Sequence, residues 1–112
     1  MEVSAIAKDT GISARKIRPL VDMVRGKKVD EALTILRFTP TPTARVVAKV
    51  VKSAAANAEN NFQMDPLDLR IVSIFADEAR TLKRYRARAR ARSSSILKRS
   101  SHITVIVAEQ EG

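Results

Sequence analysis

Residues 79–99 read A-R-T-L-K-R-Y-R-A-R-A-R-A-R-S-S-S-I-L-K-R. Nine of the chain's 21 lysines and arginines lie here, between Arg80 and Arg99, with no acidic residue among them. The remaining residues hold 12 basic and 12 acidic side chains, so the whole formal charge of +9 belongs to this one segment. Like charges crowded together destabilise a compact state through self-repulsion, and such a segment calls for a polyanionic partner, nucleic acid foremost.

The flanks decide what the segment is. Leu69 to Ala76 (L-R-I-V-S-I-F-A) reads as a strand with Leu69, Ile71 and Phe75 on one side and Val72 and Ile74 on the other. His102 to Ala108 (H-I-T-V-I-V-A) reads as a second strand with Ile103, Val105 and Val107 in register. The 25 residues between them contain neither Gly nor Pro, and a structureless loop of that length is uncommon in a compact domain. Either both strands extend into a β-ribbon or the Ala-Arg repeat forms a helix. Helix propensity favours the second. Patterning favours the first: Arg84, Arg86, Arg88, Arg90 and Arg92 share one face of an extended backbone at about 6.6 Å spacing, whereas i,i+2 spacing scatters charge around a helix axis. With strands on both sides the ribbon is preferred, although a reversal inside the run splits the arginines between two strands.

Upstream, Val3, Ala5 and Ala7 alternate as a short first strand. Ser13 is placed to cap a helix with the apolar stripe Ile17, Leu20, Val21 and Val24, ended by Gly26 in a left-handed cap, while Pro19 should bend it. Lys28 to Phe38 reads as a second helix with Val29, Ala32, Leu33 and Leu36 inward. Thr41-Pro42 opens a third, about 18 residues or ~27 Å long. Its broad apolar face is Val46, Val47, Val50, Val51, Ala54, Ala55 and Ala58, and Asn60 and Asn61 end it. The alanines of its second half allow close approach, which places this helix at the centre of the fold.

A chain of 112 residues, 45% of them apolar, fits one domain with a modest core of Val, Ile, Leu and Ala. The expected division is a body of residues 1–78 and 100–112 with an arm at 79–99. Lack of cysteine removes disulfides, thiol catalysis and thiolate metal sites. No signal peptide or bilayer-spanning run is present, so a soluble intracellular protein is expected. Three Phe, one Tyr and no Trp offer little for base stacking.

Arginine pairs bidentately with phosphate and keeps its charge near neutral pH. Arg80, Lys83, Arg84, Arg86, Arg88, Arg90, Arg92, Lys98 and Arg99 are therefore the candidate nucleic-acid contacts of the arm. A second cluster, Lys8, Arg15, Lys16, Arg18, Arg25, Lys27 and Lys28, brackets the first helix, whose free N-terminal amides and Ser13 can take a phosphate. Catalysis finds no support. The lone His102 begins an apolar strand and suits a structural or RNA hydrogen bond. Asp77 and Glu78, adjacent on a strand, point to opposite faces and do not converge on a metal. No P-loop, dinucleotide or zinc motif occurs, and neither metal nor cofactor is expected. Beside the arm's charges only Leu82, Tyr85, Ile96 and Leu97 could meet a membrane, and none is expected as partner.

Several blocks in order resemble the ribosomal protein uL22 family (bacterial large-subunit protein L22): I-S-A-R-K-I-R-P-L-V-D-M-V-R-G-K-K-V-D-E-A-L at 12–33, K-S-A-A-A-N-A-E-N-N at 52–61, L-K-R-Y-R-A-R-A-R-A-R at 82–92 and L-K-R-S-S-H-I-T-V at 97–105. The resemblance covers nearly the whole chain. It implies an α+β fold, three helices packed on a small antiparallel sheet with a long protruding basic β-hairpin. It further implies binding to large-subunit rRNA, neighbouring ribosomal proteins as partners and support of early assembly. The hairpin would line the peptide exit tunnel, its tip near the nascent peptide and the macrolide-binding region. Location in the large subunit of a bacterial cytoplasm or plastid stroma follows, with no self-association and no enzymatic activity. By position, Arg84 to Arg92 match the hairpin tip. Ser13, Arg15, Lys16, Arg18, Arg25, Lys27, Lys28, Asn57, Asn60, Asn61, Lys98, Arg99, Ser101 and His102 match motif residues of the body and returning strand. The family commonly has Gly-Pro where this chain has Ala79 and Arg80, and proline and glycine in the tip where it has Ala87 and Ala91. The competing expectation is a free-standing basic architectural or regulatory nucleic-acid-binding protein, which would bind generic duplex DNA comparably.

Overall fold

The computed structural model describes residues 2–8, 10–79, 82–88, 92–98 and 100–109, with 82–88 and 92–98 followed as backbone. Element order is β1 (Glu2–Ala7), α1 (Ala14–Val24), α2 (Val29–Arg37), α3 (Pro42–Phe62), a 3₁₀ turn (Pro66–Asp68), β2 (Leu69–Glu78), β3 (Leu82–Arg88), β4 (Arg92–Lys98) and β5 (Ser101–Glu109). This is an α+β fold. A three-stranded antiparallel sheet runs in the order β1-β5-β2, and β3 pairs with β4 as a separate antiparallel ladder.

All three helices lie on one side of the sheet or on each other: α3 packs on β1 and β5, α1 on β2, and α2 on α3. The core is aliphatic. Ile17, Val21 and Val24 of α1 and Val47, Val51, Ala54 and Ala58 of α3 meet Ile71, Ile74, Ile103, Val105 and Val107 of the sheet, all buried. The alanines at 54 and 58 carry the least bulk of any chiral residue, which lets α3 sit close against its neighbours at the centre of the body.

Local chemistry sets the helix boundaries. Thr41 Oγ1 accepts from the Ala44 amide at 3.3 Å and Pro42 follows at the first helical position, so α3 starts as its sequence predicts. It runs on through Asn60 and Asn61 to Phe62, where Gln63 at φ 55 turns the chain. Asparagine is only a mild helix opponent, and the first strong breaker downstream is Pro66. Helix α1 continues through Pro19 without interruption. Both Pro19 and Arg15 are exposed, so the carbonyl that proline leaves without a helical donor lies on the solvated side. Gly26 takes φ 78 just beyond α1, as expected. Asp65 caps the 3₁₀ turn through Oδ1, which accepts from the Leu67 amide at 2.9 Å.

Strand β2 departs from simple alternation. Ile71 is opposite Val107 and Ser73 opposite Ile106, so Val72 is an extra residue and the ladder bulges there. The bulge flips the inward phase. Leu69 and Ile71 are buried before it, Ile74 and Ala76 after it, and Phe75 is 40% exposed on the outer face with Val72 at 44%. The expected partition, Phe75 with Leu69 and Ile71 against Ile74, is thus reversed downstream of Val72.

Candidate nucleic-acid interface

The arm grows out of the sheet. Glu78 and Ser101 are the last register pair of β2 and β5, and the Ala79 amide donates to the Ser100 carbonyl at 3.0 Å just beyond them. The chain then continues as β3 and returns as β4, with Leu82 opposite Lys98 and Arg88 opposite Arg92. These segments are strands, not a helix. Residues directly opposite in an antiparallel ladder share a face, and each strand alternates faces. By register, Arg84, Arg86 and Arg88 of β3 share one ladder face with Arg92 and Lys98 of β4, while Lys83 takes the other along with positions 85, 87, 93, 95 and 97. The reversal does not disperse the arginines, because Arg88 stands opposite Arg92 and the returning even-numbered positions fall on the same face. Arg80, Arg90 and Arg99 lie outside the described residues, as do the tip departures around Ala91.

At the root of the arm sits a hydroxyl cluster. Ser101 is wholly buried, and its Oγ donates to the Ile12 carbonyl at 2.7 Å and lies 2.8 Å from Thr10 Oγ1. The Thr10 amide donates to the Ser101 carbonyl at 3.0 Å, and the Gly11 amide donates to Ser100 Oγ at 3.0 Å. Ser101 was expected among the RNA contacts. Burial and these bonds make it a tie instead, fastening the 10–12 loop to the strand that returns from the arm. His102, partly buried, faces Asp77 in register.

The cluster around α1 divides by what its members already touch. Arg25 Nη1 donates to Asp22 Oδ1 at 2.7 Å and Nη2 to the Ile74 carbonyl at 2.9 Å. Arg18 Nη2 reaches the Ala76 carbonyl at 3.5 Å. The Ile71 amide donates to the Lys27 carbonyl at 2.9 Å, the Gly26 amide to the Ile71 carbonyl at 3.2 Å, and Lys28 bridges Arg70. The outer edge of β2 is therefore covered at Ile71, Ile74 and Ala76 by the α1–α2 connection and two guanidinium groups. Among the described residues Lys8, Arg15 and Lys16 stand exposed without such engagement, as do the side chains of Lys27 and Lys28. Ser13 occupies the N-cap of α1 but makes no side-chain cap bond. Its carbonyl instead accepts from the Lys16 amide at 3.1 Å. No acidic residue occupies the first turn of α1, which keeps that helix end electropositive. Asn60 and Asn61 are exposed at the far end of α3, and Asn57 is half-buried one turn earlier.

Sequence reasoning passed over one group of cations. Arg37, Arg45, Lys49 and Lys52 line a groove between α2 and α3. They are spread over 16 residues and interleaved with apolar positions, so they read as ordinary solvated helix faces. Only the packing of two helices brings them together. Among the described residues no group of three or more His, Asp or Glu is placed to hold a metal ion, and no helix is long and apolar enough to cross a membrane.

Comparison with known proteins gives one answer along the whole chain. The large ribosomal subunit protein uL22 of Dehalococcoides mccartyi strain 195 is 72% identical over 109 residues, covering 97% of this chain and 100% of its own length. Its counterparts from Pediococcus pentosaceus and Pelotomaculum thermopropionicum are 58% identical over 109 residues and 53% identical over 111, covering 96% and 99% of this chain and 92% and 98% of their own. The family model described as ribosomal protein L22p/L17e matches residues 5–108, and the chain belongs to that family.

Proposed function

We infer that the protein is a structural constituent of the large ribosomal subunit, held there by ribosomal RNA and acting by shape and charge, not by chemistry. The observation that carries this reading is full-length similarity to uL22 proteins, joined to a ladder whose register gathers Arg84, Arg86, Arg88, Arg92 and Lys98 on one face. The body, residues 1–78 and 100–112, fixes one end of the arm, residues 79–99. The arm threads between RNA segments and neutralises their phosphates. Alanine between the arginines adds no bulk in a tight passage. A paired ribbon limits the ordering cost of binding, and phosphate contacts give position without base preference. Selectivity then comes from the three-dimensional shape of the RNA.

Lys8, Arg15, Lys16, Lys27 and Lys28 form a second contact surface around the N-terminus and C-terminal loop of α1, with Asn57, Asn60, Asn61 and His102 as polar contacts. The arm lines the peptide exit tunnel, with its tip close to the nascent peptide, and neighbouring ribosomal proteins meet the body. The bacterial relatives support a cytoplasmic location for this work.

The test is competitive incorporation. The variant Arg84→Gln/Arg86→Gln/Arg88→Gln/Arg92→Gln and the parent chain are offered together to large subunits under reconstitution, and the ratio in purified particles is measured. The variant should be under-represented at least 10-fold. Equal incorporation would remove the arm from the account of attachment.

A further inference from the structure

We propose that the open face of the β1-β5-β2 sheet is a docking surface for another protein, which lays one amphipathic helix across it. The proposal rests on the chain being a component of the large ribosomal subunit, where other proteins stand close by, and it names the face that one of them covers.

Ile103, Val105 and Val107 of β5 are buried toward the helices, so His102, Thr104, Ile106 and Ala108 point to the opposite face, where they are only partly covered. The ladder arranges that face in rows. Ile6 and Phe75 stand on either side of Thr104, and Ser4 and Ser73 on either side of Ile106, with Val72 added beside this second row by the bulge. Ile6 is 55% exposed, Val72 44% and Phe75 40%. Seven large apolar side chains are exposed among the described residues, and these three share one surface. Single exposed apolar residues are ordinary, but a group of them on one face marks an interaction site. Charge is kept to the two ends. Glu2 and Arg70 flank Ala108 at one, and Asp77 stands opposite His102 at the other. An apolar centre with a polar rim is the layout of a protein interface.

Charge and area choose the occupant. The chain carries a formal +9, yet this face sets one arginine against two carboxylates. Such a face has no surplus of cations for a phosphate backbone, so it selects protein over nucleic acid. Residues 102–108 at about 3.4 Å each make the face about 20 Å long, and three strands make it about 14 Å wide. The resulting area, roughly 300 Å², falls well short of the about 800 Å² per partner that a stable pair buries. Two copies of this chain docked face to face would therefore not hold. One helix, about 10–12 Å across, fits the width, and a helix laid on a sheet is a standard way to cover such a face. So small a contact persists where the same RNA already anchors both partners and raises their effective concentration.

The experiment uses the full chain in assembled large subunits. The chain has no cysteine, so Ser4→Cys and Ser73→Cys, at the two rims of the Ile106 row, each give a unique attachment point for a short photocrosslinker. Both should yield adducts with the same protein, at a peptide whose apolar residues recur at helical spacing. In the Ser4→Cys chain, Ile6→Thr/Phe75→Thr should lower adduct yield about 10-fold, whereas Ile6→Val/Phe75→Leu should keep it. Neither pair alters charge, so the salt dependence of RNA binding should match the parent. Adducts with ribosomal RNA or with a second copy of this chain, or no adducts in subunits that contain the labelled chain, overturn the docking face and leave the ribosomal reading standing. Undiminished yield in the threonine variant overturns it too, and if that variant fails to fold, the two cysteine chains decide alone. Failure of the parent to enter large subunits removes the ribosomal reading, and the docking face with it.

Discussion

Arg25 and Ile74 are joined across 49 positions of sequence: the guanidinium at the end of α1 donates Nη2 to the Ile74 carbonyl at 2.9 Å while Asp22 holds Nη1 at 2.7 Å. Edge strands present unpaired carbonyls that recruit other chains unless something covers them. Here the cover is the α1–α2 connection and the guanidinium groups of Arg18 and Arg25.

Arg25→Ala should therefore act on stability. A charge-assisted bond with half-exposed partners contributes about 1 kcal/mol, and the urea midpoint should fall accordingly. Arg25→Lys should recover only part of it, because a point charge does not span two acceptors as a planar fork does. The salt slope for RNA should stay as in the parent. A slope smaller by about 1 with unaltered stability would make Arg25 a phosphate contact instead.

Ser101→Ala removes a buried hydroxyl bonded to the Ile12 carbonyl and paired with Thr10 Oγ1. Leaving buried partners unsatisfied costs about 1–3 kcal/mol. The loss should show in chemical denaturation and as faster amide exchange at Thr10, whose amide is bonded to the Ser101 carbonyl. RNA affinity measured well below the melting temperature should change less than 2-fold. A 10-fold loss of affinity in a stably folded variant would return Ser101 to the interface.

The bulge at Val72 makes a sharp forecast for two adjacent residues. Ile74→Ala opens a cavity beneath α1 and should cost about 2–5 kcal/mol. Phe75→Ala trims a side chain that is 40% exposed and should cost about 1 kcal/mol or less. Equilibrium denaturation of the two variants decides the phase of the strand. Uninterrupted alternation from Leu69 would give the reverse order.

That pair also shows where sequence reading stops. Period-3.6 stripes identified all three helices, because each turns a continuous apolar face to the core, and Thr41-Pro42 marked the start of α3 by its own local chemistry. The even-numbered arginines announced a ribbon because strand geometry alone gives parity a meaning. Val72 left no such mark: a bulge made by a β-branched residue in an apolar run looks like strand, and only pairing with β5 exposes the extra residue. The burial of Ser101 was no more legible, since a serine between Ser100 and His102 carries no mark of it until the 10–12 loop is known to cover it. Arg18 and Arg25 carry the charge expected of RNA contacts, yet carbonyls of β2 that are distant in sequence already engage them.

The last forecast separates a ribosomal component from a general nucleic-acid binder. Both would use the arm's guanidinium groups, so both lose affinity as salt rises, with slopes set by the number of phosphates neutralised. They differ in what remains when charge is screened. A component fitted to folded RNA keeps contacts that depend on the spacing of several RNA segments around body and arm together, and those survive screening better than a row of ion pairs. Filter binding with large-subunit RNA fragments and with duplex DNA of equal length should therefore show comparable affinities at low salt and a preference for RNA that widens as salt increases, reaching at least 10-fold. Parallel decline of the two curves would mean that the arm reads charge alone, and the free-standing architectural role would then describe the protein better.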